Sequence, residues 1–408
     1  MKRHALLLML ALLSIPFHLS AQKKVIQQAQ QLIKTGKELE KAEKLMTDLL
    51  KDTSNIANTK IHLTLFEAVK KQYEQGNEKL YLKQTYDTTA LFNNTLKMFT
   101  ILERLDSIET QQSTTQKHKS KWRDRDVAFL HSFRRNLLNG GRFFSRKQQY
   151  QRAYTFYTHY LNTAKHPLFK QYQYATTDSL MPGAAYGAMY CAYKLQQPHN
   201  VLTYAPMAEQ VKRRTEYVYQ FEAEAYHLLN DTTNYLKTLL KGFKHSPQFV
   251  YFFPRIVDHY IDTRQNDKAI AFVDQALLID SLNPTFRFAQ STLLLNSGQY
   301  EQCIDICEDL IAANDSLIDA YYNIGLAYFN EAISLDKQVQ NQRSRREAIS
   351  QLYKKSLPFM QKVREEQPNQ PEKWAQVLYT IYLNLNMGNE FDEINALLSR
   401  KKTTANNH

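Results

Sequence analysis

Cys303 and Cys307 stand four residues apart. On a helix that spacing puts both thiols on one face, where they could begin a metal site or a redox pair. The sequence completes neither. No His or further Cys stands nearby at ligand spacing,, and side chains pointing in similar directions suit core packing better than a disulfide. Cys191 lies in an alanine-rich stretch, and three cysteines are too few, and odd in number, for a disulfide framework,. All three read as small buried hydrophobes. The 12 histidines are scattered without an i, i+4 pair on a common face. Acid pairs such as Glu365-Glu366 fall at exposed helix positions. There is no H-E-x-x-H, G-x-S-x-G, Walker loop or G-x-G-x-x-G,. Gly140-Gly141 sits inside a helical pattern and implies close helix packing rather than a phosphate cradle. No catalytic residue, metal or cofactor is expected. Because fold does not fix function, an enzyme with an unrecognised site stays open as an alternative.

The elements that carry these residues repeat. Five blocks align when the chain is cut every 34 residues, at Pro182, Glu216, Val250, Pro284 and Ile318. A fixed period of this size marks stacked helix–turn–helix units, each burying its apolar face against its neighbours. Sparse Gly and Pro with abundant Leu, Ala, Lys, Gln and Glu agree with helices,. Ala208, Ala223, Ala269 and Ala276 occupy close-packing positions. Pro247 and Pro284 fall at block boundaries, where proline cannot continue a preceding helix. In this register Cys303 and Cys307 face the partner helix.

Residues 1–21 read as a secretory signal peptide. Lys2, Arg3 and His4 form a basic start, Ala5 to Leu13 is an apolar run, and cleavage is expected after Ala21,. An uncleaved anchor is the rival, but the run is shorter than the roughly 18 residues a spanning helix needs. Residues 22–109 read as degenerate helical pairs and 110–126 as a polar, basic linker containing Lys117, Lys119, Lys121, Arg123 and Arg125,. Residues 127–400 read as the solenoid, with its phase broken at Leu168 to Met181. Glu331 to Leu352 is a charged insert, where both flanking helices should run on and meet in a hairpin containing Arg343, Arg345 and Arg346. Pro358 should kink or restart the second of them, and 401–408 should be a frayed tail.

Tyr321, Ile324, Gly325 and Tyr328, followed by Ser356, Met360 and Pro368, resemble the tetratricopeptide repeat, with Tyr in place of its Trp. The resemblance is clearest from Pro182 to Leu398 and weak before Arg134. It implies an all-α solenoid of helical hairpins, wound as a right-handed superhelix. Together with the signal peptide it is similar to the exported repeat proteins of Gram-negative bacteria, which implies a periplasmic place, with outer-membrane association as a variant. It also implies a concave groove lined by the first helices. Carried over position by position, the groove residues are Tyr251, Phe288, Leu295, Tyr322, Leu326, Phe329, Tyr379 and Tyr382. The Lys and Asn with which some family members grip a carboxylate are replaced at positions 5 and 9, so that clamp is absent.

The expected function is therefore a non-enzymatic interaction scaffold, holding a helical or extended segment of an envelope protein in an aromatic groove. The insert arginines would form a second contact. The chain's own terminal helices or tail could instead cover the groove rings. The formal charge of +12 becomes +10 once Lys2 and Arg3 are removed. That leaves a second class open, association with acidic polysaccharide or anionic membrane. The charge is interleaved with acids, and nucleic-acid binding is not expected.

Overall fold

The computed structural model describes residues 22–112, 121–337 and 343–405, and every regular element among them is a helix. The chain divides between Tyr235 and Leu236 into two compact units.

The first unit contains α1 (22–35), α2 (Leu39–Leu49), α3 (Thr59–Tyr81), α4 (Thr88–Gln112), α5 (Lys121–Arg146), α6 (Tyr150–Asn162), the short α7 (Tyr174–Thr177), α8 (Met181–Lys194), α9 (Pro198–Ala208) and α10 (Thr215–Leu228). Helices adjacent in sequence pack on one another, α5 on α6 and α8 on α9 among them, and α6 also packs on α8. α11 (Thr232–His245) spans the division. The second unit continues with α12 (Phe252–Asp262), α13 (Asn266–Ile279), α14 (Pro284–Asn296), α15 (Tyr300–Ala313), α16 (Ile318–Asp336), α17 (Arg343–Glu366), α18 (Pro371–Asn384) and α19 (Gly388–Ala405). These are the helical hairpins of the tetratricopeptide type. α8, α10, α12, α14 and α16 each begin within two residues of the five block starts.

The period has a backbone cause. Gln196, Asn230, Arg264 and Gly298 recur every 34 residues, and each takes a positive φ at the turn between the two helices of a hairpin. The next residue in each case donates its N–H back across the turn, Gln197 to Ala192 O, Asp231 to Tyr226 O, Gln265 to Tyr260 O and Gln299 to Leu294 O, at 2.7–3.0 Å. This closes the end of the first helix and reverses the chain. Gln148 and Asn386 do the same in the hairpins α5–α6 and α18–α19. Only one of these six turns uses glycine, so composition does not reveal them.

Small residues set the spacing between paired helices. Ala208, Ala223, Ala269 and Ala276 are fully buried. A Cβ on Gly141 or on Gly187 would each fall 2.7 Å or less from the Tyr157 ring, so α5 and α8 both admit that ring from α6. A Cβ on Gly325 would lie 2.5 Å from Met360 Sδ, and beside it the Ser356 hydroxyl donates to Gly325 O at 2.7 Å. Cys191, Cys303 and Cys307 are buried free thiols. Burial pushes Cys191 up to about 11, and a hydrogen bond with Cys307, then burial, raises Cys303. The same hydrogen bond, against burial, lowers Cys307, so Cys191 and Cys303 are the thiols held protonated.

Four expectations change. Residues 110–112 end α4 and 121–126 open α5, rather than forming a linker; 113–120 lie outside the described residues. Trp122 is buried and donates Nε1–H to Glu109 Oε1 at 3.2 Å. Arg123 pairs with Asp106, and Arg125 with Asp126 at 2.6 Å. Two cations of the run that reads as solvated chain, Arg123 and Arg125, are thus paired with acids on α4 and α5. α17 continues through Pro358 instead of restarting there. α19 extends to Ala405 rather than fraying at 401, with 406–408 outside the described residues. At the phase break, Leu168 and Phe169 are core, in the turn Pro167–Tyr172. The signal-peptide residues 1–21 also lie outside the described residues.

The phase break is held by one buried cation. Arg134 of α5 donates to Thr163 Oγ1 at 2.7 Å, Asp178 Oδ2 at 2.5 Å and Tyr160 O at 3.2 Å. Its guanidinium lies 3.8 Å from the ring centres of both Tyr160 and Tyr174. Asp178 also accepts from the Tyr160 hydroxyl at 2.6 Å and, two residues on, from Leu180 N–H. The cluster fixes the chain entering α8, with Arg134 reaching Met181 Sδ. Burial opposes ionisation of Asp178, but the Tyr160 hydroxyl and Arg134 outweigh it and hold the carboxyl below its ordinary range,.

Candidate partner-binding face

The resemblance assigns the groove to positions 2, 5, 9, 12 and 13 of the first helix of each hairpin. In the second unit some of these side chains belong to the core. Tyr251, Leu295 and Tyr382 are buried. The Arg255 guanidinium sits 3.8 Å over the Tyr251 ring while its Nη1 donates to Tyr251 O. Leu295 belongs to the core cluster with Cys303 and Cys307, and Tyr382 to the cluster with Trp374 and Leu378. These three are corrected from groove walls to core. Phe288, Tyr322, Leu326, Phe329 and Tyr379 are half-buried, each packed on a core cluster. Phe329 meets Tyr353 at 5.9 Å, and Tyr379 meets Phe391 at 4.8 Å. Lys373 of α18 donates to Asp319 of α16 at 2.9 Å, an ion pair across successive first helices beside Tyr322. Burial raises Tyr322, with nearby Lys373 opposing.

The insert arginines are not gathered into a site with these rings. Arg343 opens α17, is almost fully exposed, and pairs at 3.5 Å with Glu347. Arg345 and Arg346 share its turn, in a helix of 24 residues that follows the 19-residue α16. The junction 338–342 lies outside the described residues.

In the first unit the same register positions hold Tyr186 and Tyr190, half-buried and packed on a core cluster as Tyr322 and Tyr379 are. There α8 and α10 are neighbouring first helices. A cavity of about 550 Å³ opens between them, lined by Tyr186 and Tyr190 of α8, Arg213 and Arg214 of the 3-10 turn Lys212–Arg214, and Tyr217, Gln220 and Phe221 of α10. Tyr186, Tyr190, Tyr217 and Gln220 stand at positions 5, 9, 2 and 5 of the blocks that start at Pro182 and Glu216. The groove prediction carried the register only from Val250 onward and so passed over them; one more step back would have reached them. The two arginines precede the helix, outside the family's groove positions, and no pattern in the repeat flags them.

Phe221 forms the floor. Its ring centre lies 5.9 Å from Tyr190, 4.4 Å from Tyr193 and 6.5 Å from Tyr217. Tyr150 packs on Tyr190 from behind at 5.9 Å. Burial, then a hydrogen bond with Tyr150, pushes Tyr190 up to about 12, so it keeps its proton at neutral pH. Arg214 lies 5.0 Å over the Tyr186 ring. The Tyr186 hydroxyl, with a smaller contribution from Glu216, raises the Arg214 pKa. Arg213 is exposed and makes no ion pair among the described residues. The walls supply aromatic faces, hydroxyl donors and two cations. No carboxylate, imidazole or thiol lines the cavity. A second cavity, of about 520 Å³, lies along α1 and α3 between Ile33, Leu63, Lys60 and Glu67. Among the described residues no group of His, Cys, Asp or Glu could hold a metal ion, and no helix is long and apolar enough to cross a membrane.

No protein-family model matches this sequence, and no curated protein matches it. Solved structures resemble it at low similarity. The C-terminal part of a TPR repeat-containing protein from Cytophaga hutchinsonii aligns with 8% identity over 62% of this chain and 91% of its own, at a TM-score of 0.44. YrrB, a TPR protein with an unusual peptide-binding site, aligns with 13% identity over 50% of this chain and 95% of its own, at 0.34. A monomeric IFIT1 mutant with m7Gppp-AAAA aligns with 13% identity over 88% of this chain and 72% of its own, at 0.38. Likeness at this level carries no argument about function. The fold rests on this chain's own hairpins and their 34-residue turns.

Proposed function

We propose that this chain is a non-enzymatic scaffold that holds a segment of a partner protein against its first helices, in a cell envelope to which it is exported. The observation that carries the reading is the open cavity between α8 and α10, with three tyrosines and two arginines on its walls. Tyr and Arg are the side chains that most often dominate protein contacts, because each covers a large area and ends in a polar group. The exposed Arg213 and Arg214 beside the half-buried rings of Tyr186 and Tyr190 support the same place. Export is supported by the basic start and apolar run of residues 2–13,.

Crosslinking in the native cell tests the reading. Wild type should give a discrete partner adduct, and a variant carrying both Tyr186→Ala and Tyr217→Ala should lose it while keeping its thermal transition. An unchanged adduct in the folded double variant contradicts the proposal. Fractionation of cells making the chain with and without residues 1–21 tests export. Equal distribution of the two forms contradicts that part.

A further inference from the structure

Resting on that reading, we propose that the α8/α10 cavity is specific for an acidic segment of a protein partner, receiving a carboxylate side chain next to an aromatic one. The argument is charge complementarity on an aromatic floor. Arg213 and Arg214 are exposed cations lining the cavity, and the exposed Lys212 precedes them in the same turn. The acids closest in sequence are Glu209, whose Oε1 accepts from the Tyr219 hydroxyl at 2.5 Å, and Glu216 at the start of α10. Neither lines the cavity. Arg213 has no carboxylate of its own among the described residues, and Arg214 rests on the Tyr186 ring. A guanidinium binds a carboxylate through two parallel N–H donors; Arg214 shares one of its donors with the Tyr186 hydroxyl, and a guanidinium has five. The rest of the cavity, Tyr190, Tyr217 and Phe221, offers ring faces and edges to a planar or apolar side chain,. A cationic segment would meet two like charges, and a purely apolar one would leave the guanidinium pair desolvated without a partner.

The test uses the full chain without residues 1–21 and fluorescence anisotropy with a labelled peptide of alternating glutamate and phenylalanine. The glutamine–phenylalanine peptide and sodium alginate serve as comparators. The inference expects the glutamate peptide to bind at least about tenfold more tightly than the glutamine peptide. It expects a similar loss in the double variant Arg213→Ala, Arg214→Ala and a larger one in Arg213→Glu. Binding should weaken as salt rises from roughly 0.05 M to roughly 0.5 M. Both arginines are exposed, so an unchanged circular-dichroism melt separates lost binding from lost fold. Equal binding of the two peptides, or an unaltered affinity in the arginine variants, overturns it. Equal binding that is lost in Tyr186→Ala overturns the acidic specificity while the scaffold reading stands. No binding of either peptide overturns the inference and counts against the scaffold reading as well. Displacement of the glutamate peptide by alginate overturns it in favour of an acidic polysaccharide.

Discussion

The face formed by α8 and α10 and the face formed by α16 and α18 are built from the same repeat positions and carry rings that are half-buried in both, but the first has two exposed arginines lining a cavity beside its rings. At position 5 the first has Tyr186 and Gln220, and the second has Tyr322 and Ala375. What differs is how the neighbours use the space. Around Tyr322 the Asp319–Lys373 pair crosses from one first helix to the next, and at position 12 Tyr382 is drawn into the core. Beside Tyr186 the crossing residue is Arg214, a cation stacked on the ring with no acid opposite it in the cavity wall. A repeat position therefore states where a side chain starts, and the adjoining turn decides whether it ends as wall or as core.

The largest expected effect falls on the element that places α8. Replacing Arg134 by Met leaves the half-buried Asp178 beside Tyr160 without its cation, and the cost should approach the lower end, about 3 kcal/mol, of that for breaking a buried pair. Differential hydrogen exchange should show the loss in α5, α6 and α8 and leave α14 to α18 unchanged. Uniform loss across both units would break the comparison. Acid should act in the same place. Asp178 is held below its ordinary value of 3.8, so its contribution is complete above that value and fades as pH falls through the lower folded one. The first unit should therefore lose protection around α8 in acid, and Asp178→Asn should abolish that pH dependence.

Tyr382→Ala comes next. As a buried ring at 1% exposure its truncation should cost about 3 kcal/mol by urea unfolding. Tyr217→Ala, at 43% exposure, should stay within about 0.5 kcal/mol. Similar costs for the two would erase the distinction between core and wall. A smaller effect is expected from Gly325→Leu. The new side chain would press Met360 and cost about 1–3 kcal/mol by overpacking, and Met360→Ala in the same chain should recover part of it.

Much of the fold was legible because the 34-residue period is carried by strong signals, the alanines at close-packing positions and the Tyr-Ile-Gly-Tyr of α16. The hairpin turns were not, since Gln196, Asn230 and Arg264 adopt positive φ without glycine to announce it. The stretch at 110–126 misled because a basic run reads as solvated until its acids, Asp106 and Asp126, are placed against it. The groove was legible only as a set of positions. Tyr251, Leu295 and Tyr382 are core because Arg255 and the packed second helices cover them, and such cover is a tertiary fact. Arg213 and Arg214 escaped because they lie in a turn, where the helical register assigns no direction.

The central claim is that the partner meets the first unit's face and not the corresponding one of the second. A photo-crosslinking residue placed at Tyr217, and separately at Leu383, compares the two directly, because both are exposed first-helix positions at 43% and 53%. Irradiation of the native cell should give a discrete protein adduct from position 217 and none from 383. An adduct from 383 with none from 217 would contradict the account.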